Sequence, residues 1–434
     1  MTKRLLSRYH LSLAVSTLAM VVILATGCGP GAASTPTPEP VTLRLAFREH
    51  TVELQPLVDE FHEEHPWITV ELVSTDRFAN GIEPLIRSNS IDMFIESSYA
   101  IGYAREGLLK PLDDLQLGDW APIMDDYYAG AWESLRVEGQ QWGIPANIDT
   151  YVTYVNLDHA NALHLELPGP EWTLFEFLEL ASAMNYPQGL PYLETSNLIG
   201  FCTAPDGMDA VIFAYRHGGA IVDSVTNPQV ATLDDPRTME SVQWYSDLFN
   251  RYEVAPDPEM VRTTFRQGGI YEAQVRGACG VWLGAYSNRG GLDFPFQWTV
   301  GWKMLPLPRD SVALNLGNVE GYFIHSACAH PEAAIELVRF LSDRWEAAGT
   351  RLPARRSLAE SDGYREHVGN DVADVAAGLT GGEIVILPAQ AGPSLERVGG
   401  EFIRSVQEIV AEDRDARMVL GEAQDRVRTA FQTP

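Results

Sequence analysis

Near the start of the folded chain, two strand-like segments flank one helix, and this arrangement restricts the possible folds more than any other feature. "VTLRLAF" (Val41 to Phe47) alternates apolar and polar residues like a strand. From Leu54, apolar residues recur at Leu57, Val58 and Phe61, the spacing of one helix face. Pro66 ends that helix, and "ITVELVS" supplies the next strand. A strand–helix–strand unit within about thirty residues predicts a parallel sheet covered by helices.

The alternation continues. "SIDMFIES" (Ser90 to Ser97) reads as a third strand, and "GLLKPLDDL" as loop and turn after a short helix. Thr173 and Glu176 have capping-box spacing ahead of Phe177, Leu178 and Ala181. "NLIGFCT", "GACGVWL" and "WTVGWKMLPLP" read as strands. Pro236 and Pro331 fit first-turn positions of two further helices, and the chain is helical again from about Glu396 to Val427. The class is α/β, and a folded part this long exceeds one comfortable core, which predicts two domains.

Ahead of the folded part, Lys3, Arg4 and Arg8 precede an apolar run from Leu11 to Leu24, then "LATGC" ending at Cys28. The run falls short of the ~20 residues of a membrane span and fits a secretory signal. Small residues before Cys28 resemble a bacterial lipobox, which implies lipidation of Cys28 after removal of residues 1–27. "GPGAASTPTPEP" (Gly29 to Pro40) then completes, with Cys28, an anchor and tether over residues 28–40, its twelve residues after the cysteine able to hold the domain ~37 Å from a membrane at ~3.1 Å per residue.

Removal of residues 1–27, which carry three basic and no acidic residues, takes the formal net charge from −28 to −31. That sign argues against nucleic acid and against anionic lipid as partners. Cys202, Cys279 and Cys328 each lie among small apolar residues. A Cys202–Cys279 bond is possible in an oxidising compartment, but buried free thiols are the expectation. "HEEH" (His62 to His65) spaces its histidines one residue short of the zinc HExxH pair, so no metal site and no cofactor are assigned.

"WGIPANIDTYVTYVN" (Trp142 to Asn156) carries a contradiction. Thr150 to Val155 is strand-like, yet Asn147 and Asp149 stand at its mouth, where a buried strand avoids amides and carboxylates.

The order of segments resembles the family 1 extracellular solute-binding proteins of bacterial ABC importers, the maltose-binding-protein group. The likeness is carried by "FHEEHPWITVEL", "IDMFIESSYAIGYAREGLLKPL", "GQQWGIPANIDTYVTYVN", "EWTLFEFLELA", "RHGGAIVD", "RGACGVWLGAYS", "GYFIHSACAHPEAAIELVRFLSD" and "RLPARRSL" in that order. It implies the type II periplasmic-binding fold, two α/β lobes with a hinge and a cleft between them. One lobe would be residues 41–147 plus about 300–345, the other 148–299 plus about 346–434, with crossings near Asn147 and Gly301. Asn147 and Asp149 would then line the cleft. The loop after the third strand implies Glu96, Ser97 and Tyr99 as solute contacts. Asp206 falls at an acidic ligand position, Trp282 at a stacking position, and Asn318 and Glu320 in a cleft loop. The resemblance further implies a monomeric, lipid-anchored extracytoplasmic receptor delivering its solute to ABC permease subunits.

Carboxylates and amides that take hydroxyls, with aromatic faces over a ring, suit a sugar or oligosaccharide. An acidic cleft could instead take a polyamine or a peptide amine. A secreted glycoside hydrolase would need two facing carboxylates, and no G-x-S-x-G elbow, P-loop or dinucleotide fingerprint accompanies them. The expectation is a receptor, not an enzyme.

Overall fold

The computed structural model describes residues 39–432, apart from 79–80, 116–120, 192–196, 207, 226–227, 292–296, 381–382 and 387–391. Cys28 and its tether up to residue 38 therefore lie outside the described residues. Among those described, no helix is long and apolar enough to cross a membrane.

The strands of the main sheet are β1 (Val41–Phe47), β2 (Ile68–Ser74), β3 (Met93–Ser97), β4 (Gly143–Asn156), β5 (Ile199–Phe201), β6 (Cys279–Ala285), β7 (Trp302–Leu305), β8 (Leu314–Ile324), β9 (Leu352–Pro353) and β10 (Glu383–Ile386). The sheet runs β2-β1-β3-β8-β4-β6-β5, with β9 and β7 paired to β4 and β10 paired to β8. β1 and β3 are parallel, with Leu45 opposite Met93, and β2 lies on the other side of β1. Helix α1 (Gln55–Glu64) buries Leu57, Val58 and Phe61 and ends before Pro66. Phe61 meets Phe340 of a later helix, Pro331–Ser342, edge to face at 5.2 Å.

Two long strands connect two sections of this sheet. β4 pairs with β8 through Gly143–Thr150, then with β6 and β7 through Tyr151–Asn156. β8 pairs with β10 through Leu314–Gly317 and with β3 through Glu320–Ile324. Between these two pairings lies the stretch Gly317–Glu320. The β7 strand that follows Gly301 pairs with Thr153–Asn156 of β4. The register shifts between Glu320 and Gly321, opposite Asn147 and Pro145.

The second section has its own core. Helix α2 (Leu174–Met184) opens with the Thr173–Glu176 capping box foreseen from sequence. It lies so close to β5 that a Cβ at Gly200 would overlap the Ala181 carbonyl oxygen. Phe177, Phe201, Phe213 and Tyr245 pack there with Phe402, Val406 and Val419 of the C-terminal helices. Cys202 and Cys279 form a disulfide across the β5–β6 pair, with a Cα–Cα distance of 5.5 Å, so the expectation of free thiols fails for both. Parallel pairing sets Ile199 opposite Cys279 and so brings the β5 exit within reach of the β6 start. Cys328 is free and buried.

Candidate functional site

The crossing of β4 and β8 gathers most of the polar residues selected from sequence. Asn318 stands opposite Asp149, and Glu320 opposite Asn147 on one side and Ser97 on the other. Glu96 pairs in register with Gly321 and binds Arg48 at 3.1 Å. The contradiction in "ANIDT" resolves here. Asn147 and Asp149 lie inside one fourteen-residue strand that begins seven residues before Thr150. Their side chains belong to a polar group at the crossing, not to an apolar sheet interior.

That group is tightly knit. Asn147 Nδ2 donates to Glu320 Oε2 at 2.9 Å, while the buried Asn147 Oδ1 has no partner. Asp149 accepts from the Ser287 backbone N–H at 3.1 Å and from the Ser287 hydroxyl at 2.6 Å. Arg351 stands between the two acids, with Nη1 3.3 Å from Glu320 Oε2 and Nε 3.9 Å from Asp149 Oδ2. Backbone pairing delivers Arg351 to this place, because the next two residues form β9 against Ile148 and Asn147. A cation here is what two partly buried carboxylates require.

Three phenols extend the site. Tyr151 follows on β4, and burial raises its pKa, with Asp209, Asp149, Tyr271 and Tyr99 adding to the effect in that order. The phenol therefore sits in the field of all four groups. Tyr99 and Tyr271 are 65% and 56% exposed, unusually open for aromatics.

Two residues do not stand where the sequence suggests. Asp206 is exposed, and the carboxylate whose charge acts most on Tyr151 is Asp209, at the start of helix α3 (Asp209–Arg216). Burial pushes Asp209 up to about 7, opposed by the Thr203 hydroxyl that donates to it at 2.6 Å. Trp282 is 1% exposed, stacked on Tyr154 at 5.8 Å and met edge-on by Trp298 at 5.0 Å. Strand alternation turns it onto this aromatic cluster, away from the side of Val281 and Leu283. Its ring therefore has no face open to a solute in this conformation.

Sequence reasoning passed over Arg351, Ser287, Asp209, Tyr151 and Tyr271. The first two stand in or next to segments that carry the resemblance, "RLPARRSL" and "RGACGVWLGAYS". The available signal was electrostatic, since two acids meeting at one crossing call for a cation.

The sequence model of the bacterial extracellular solute-binding protein family matches residues 48–344, more than half of the chain. The chain belongs to that family. Its fold is that of the type II solute-binding proteins. The maltose-binding protein MalE of Listeria monocytogenes, solved with maltose, superposes with a TM-score of 0.70 at 14% identity, covering 90% of this chain and 98% of its own. An ABC substrate-binding protein of the same organism, solved with cycloalternan, gives 0.69 at 16% identity, covering 91% and 100%. UgpB of Mycobacterium tuberculosis, solved with glycerophosphocholine, gives 0.67 at 16% identity, covering 91% and 99%. At these identities the solved structures speak for the fold of this solute-binding protein and not for its solute.

Proposed function

We propose that this solute-binding protein is an extracytoplasmic receptor that takes a neutral, hydroxyl-rich solute, a sugar or oligosaccharide, at the β4–β8 crossing and delivers it to an ABC importer. The observation that carries this reading is the Asn147–Glu320–Arg351–Asp149 group. It alternates donors and acceptors, it retains an unpartnered buried acceptor in Asn147 Oδ1, and it adjoins three phenols. Sugar hydroxyls both donate and accept, and aromatic faces cover the apolar side of a ring. Arg351 already balances the carboxylates, which favours a neutral polyol over a polyamine or peptide amine. Solutes bound by similar folds, maltose and cycloalternan, are of the same chemical kind.

The two sections of the sheet correspond in this reading to two lobes, meeting at Asn147–Thr150 and at Gly317–Glu320. Glu96, Ser97 and Tyr99 contact the solute from one lobe, and Asp209 and Tyr271 from the other. Asn318 and Glu320 stand on the passage between them. Neither half desolvates a sugar alone, so binding draws the lobes together. Cys28, lipidated, tethers the receptor to the membrane.

The test is calorimetric titration with maltose, maltotetraose, a cyclic glucan, spermidine and glycerophosphocholine, with product analysis and small-angle scattering on any ligand that binds. Saturable binding of a saccharide, no turnover and a smaller radius of gyration are expected. Binding of spermidine alone, or cleavage of the saccharide, would replace this reading by the cationic-solute or hydrolase alternative.

A further inference from the structure

A second cavity, of about 380 Å³, shares no wall with the crossing. Met304, Leu305 and Leu307 form one side, and Val375 and Leu379 of helix Asn370–Thr380 form another. Its volume lies within the ~300–1,000 Å³ range of small-molecule sites.

Arg216, the last residue of α3, lines it and is only 5% exposed. Nε donates to the Pro308 carbonyl at 2.9 Å, Nη1 to the Leu314 carbonyl and to Asn315 Oδ1 at 2.9 Å, and Nη2 to the Leu307 carbonyl at 3.3 Å. A guanidinium has five N–H donors, so one on Nη2 is left over. All four acceptors are neutral. The nearby Asp310 is bound to His217 at 2.9 Å, and among the described residues none forms an ion pair with Arg216. Burial accordingly pulls the guanidinium down to about 10, with Asp310 opposing.

The acids around the cavity are each engaged. Glu171 pairs with Arg309, Asp371 with Lys303 at 3.5 Å, and Asp374 with Arg365 at 2.7 Å. The wall thus holds one desolvated cation without a counter-ion and no carboxylate without a cation. A buried charge of this kind is costly until paired, and guanidinium suits the planar fork of a carboxylate. The apolar walls suit a hydrocarbon body.

We propose that this cavity is a second ligand site, which binds a small carboxylate with an apolar body, its head on Arg216. The inference does not depend on what binds at the crossing.

The test uses the intact protein with octanoate, and with 1-octanol as its uncharged counterpart. Octanoate should raise Tm saturably, with octanol at least about tenfold weaker, the size expected for losing hydrogen bonds to a charged group. Arg216→Gln should remove the difference, but its loss of four structural hydrogen bonds threatens the fold. Gly378→Leu is therefore the second variant. Gly378 lines the cavity, and a Cβ there meets nothing within 4 Å, so a larger side chain has open space to enter. It should abolish octanoate binding without lowering the unliganded Tm, since leucine is the better helix former. No octanoate binding, equal binding of octanol, or undiminished octanoate binding by Gly378→Leu would each overturn the proposal.

Discussion

Asn147 and Glu320 are register partners on neighbouring antiparallel strands, and their side chains also meet, Nδ2 donating to Oε2 at 2.9 Å. Arg351 then ties Glu320 to Asp149 from outside both strands. All three charged side chains are mostly shielded, so removing the shared cation leaves two acids uncompensated. Arg351→Met is expected to lower unfolding stability by about 3 kcal/mol, the low end for breaking a buried pair. Urea denaturation measures it, and a loss under 1 kcal/mol would mean the group is solvated and weakly coupled.

Asp149 faces the crossing and also fixes Ser287. Asp149→Ala should weaken solute binding about ten- to 150-fold, from loss of ~1.5–3 kcal/mol of charged hydrogen bonding. Ser287→Ala separates direct contact from loop support, and its affinity should stay close to wild type. If both variants lose affinity equally in calorimetry, Asp149 acts through the loop and not on the solute.

Asp209 gives the stability a pH signature. Its carboxyl holds the proton up to about pH 7 in the folded chain, against an ordinary value of 3.8. The folded state therefore binds more protons than the unfolded one between these values. Its contribution to stability is present at low pH and lost as pH rises from about 4 to about 7. Asp209→Asn cannot ionise and lacks this dependence. Tm curves for wild type and variant that run parallel across this range would contradict the burial of Asp209.

Cys28 is expected to anchor the protein. Cys28→Ala should move it from the membrane to the soluble fraction when the cells that make it are fractionated. A variant that resists carbonate extraction would indicate an uncleaved apolar span between Leu11 and Leu24.

Local chemistry made the class and many element boundaries legible. The Thr173–Glu176 box, Pro236 and Pro331 open helices as their positions predict, and β1 lies parallel to β3 in a sheet of the expected kind. The start of β4 was not legible. Gly143–Asp149 lacks a β-branched run, and it is extended because β8 pairs with it along its length. Cys202 with Cys279 was undecidable for a related reason, since only the β5–β6 register brings them together. Trp282 was misplaced because a tryptophan at a strand end reads the same whether its ring meets a solute or Trp298. Arg351 was missed because its role depends on two acids far away in sequence. Interactions set by neighbours in the chain could be read, and those set by the sheet could not.

The Cys202–Cys279 bond also bears on the order of events in making the protein. It joins positions 77 apart, and its thiols stay reduced in the cytoplasm. As a member of an extracellular family, the chain meets an oxidant only after export. It would thus reach the translocation machinery without this crosslink, when threading needs a chain that can still be pulled straight. The bond that completes the second section would close on the far side, where reopening is no longer required.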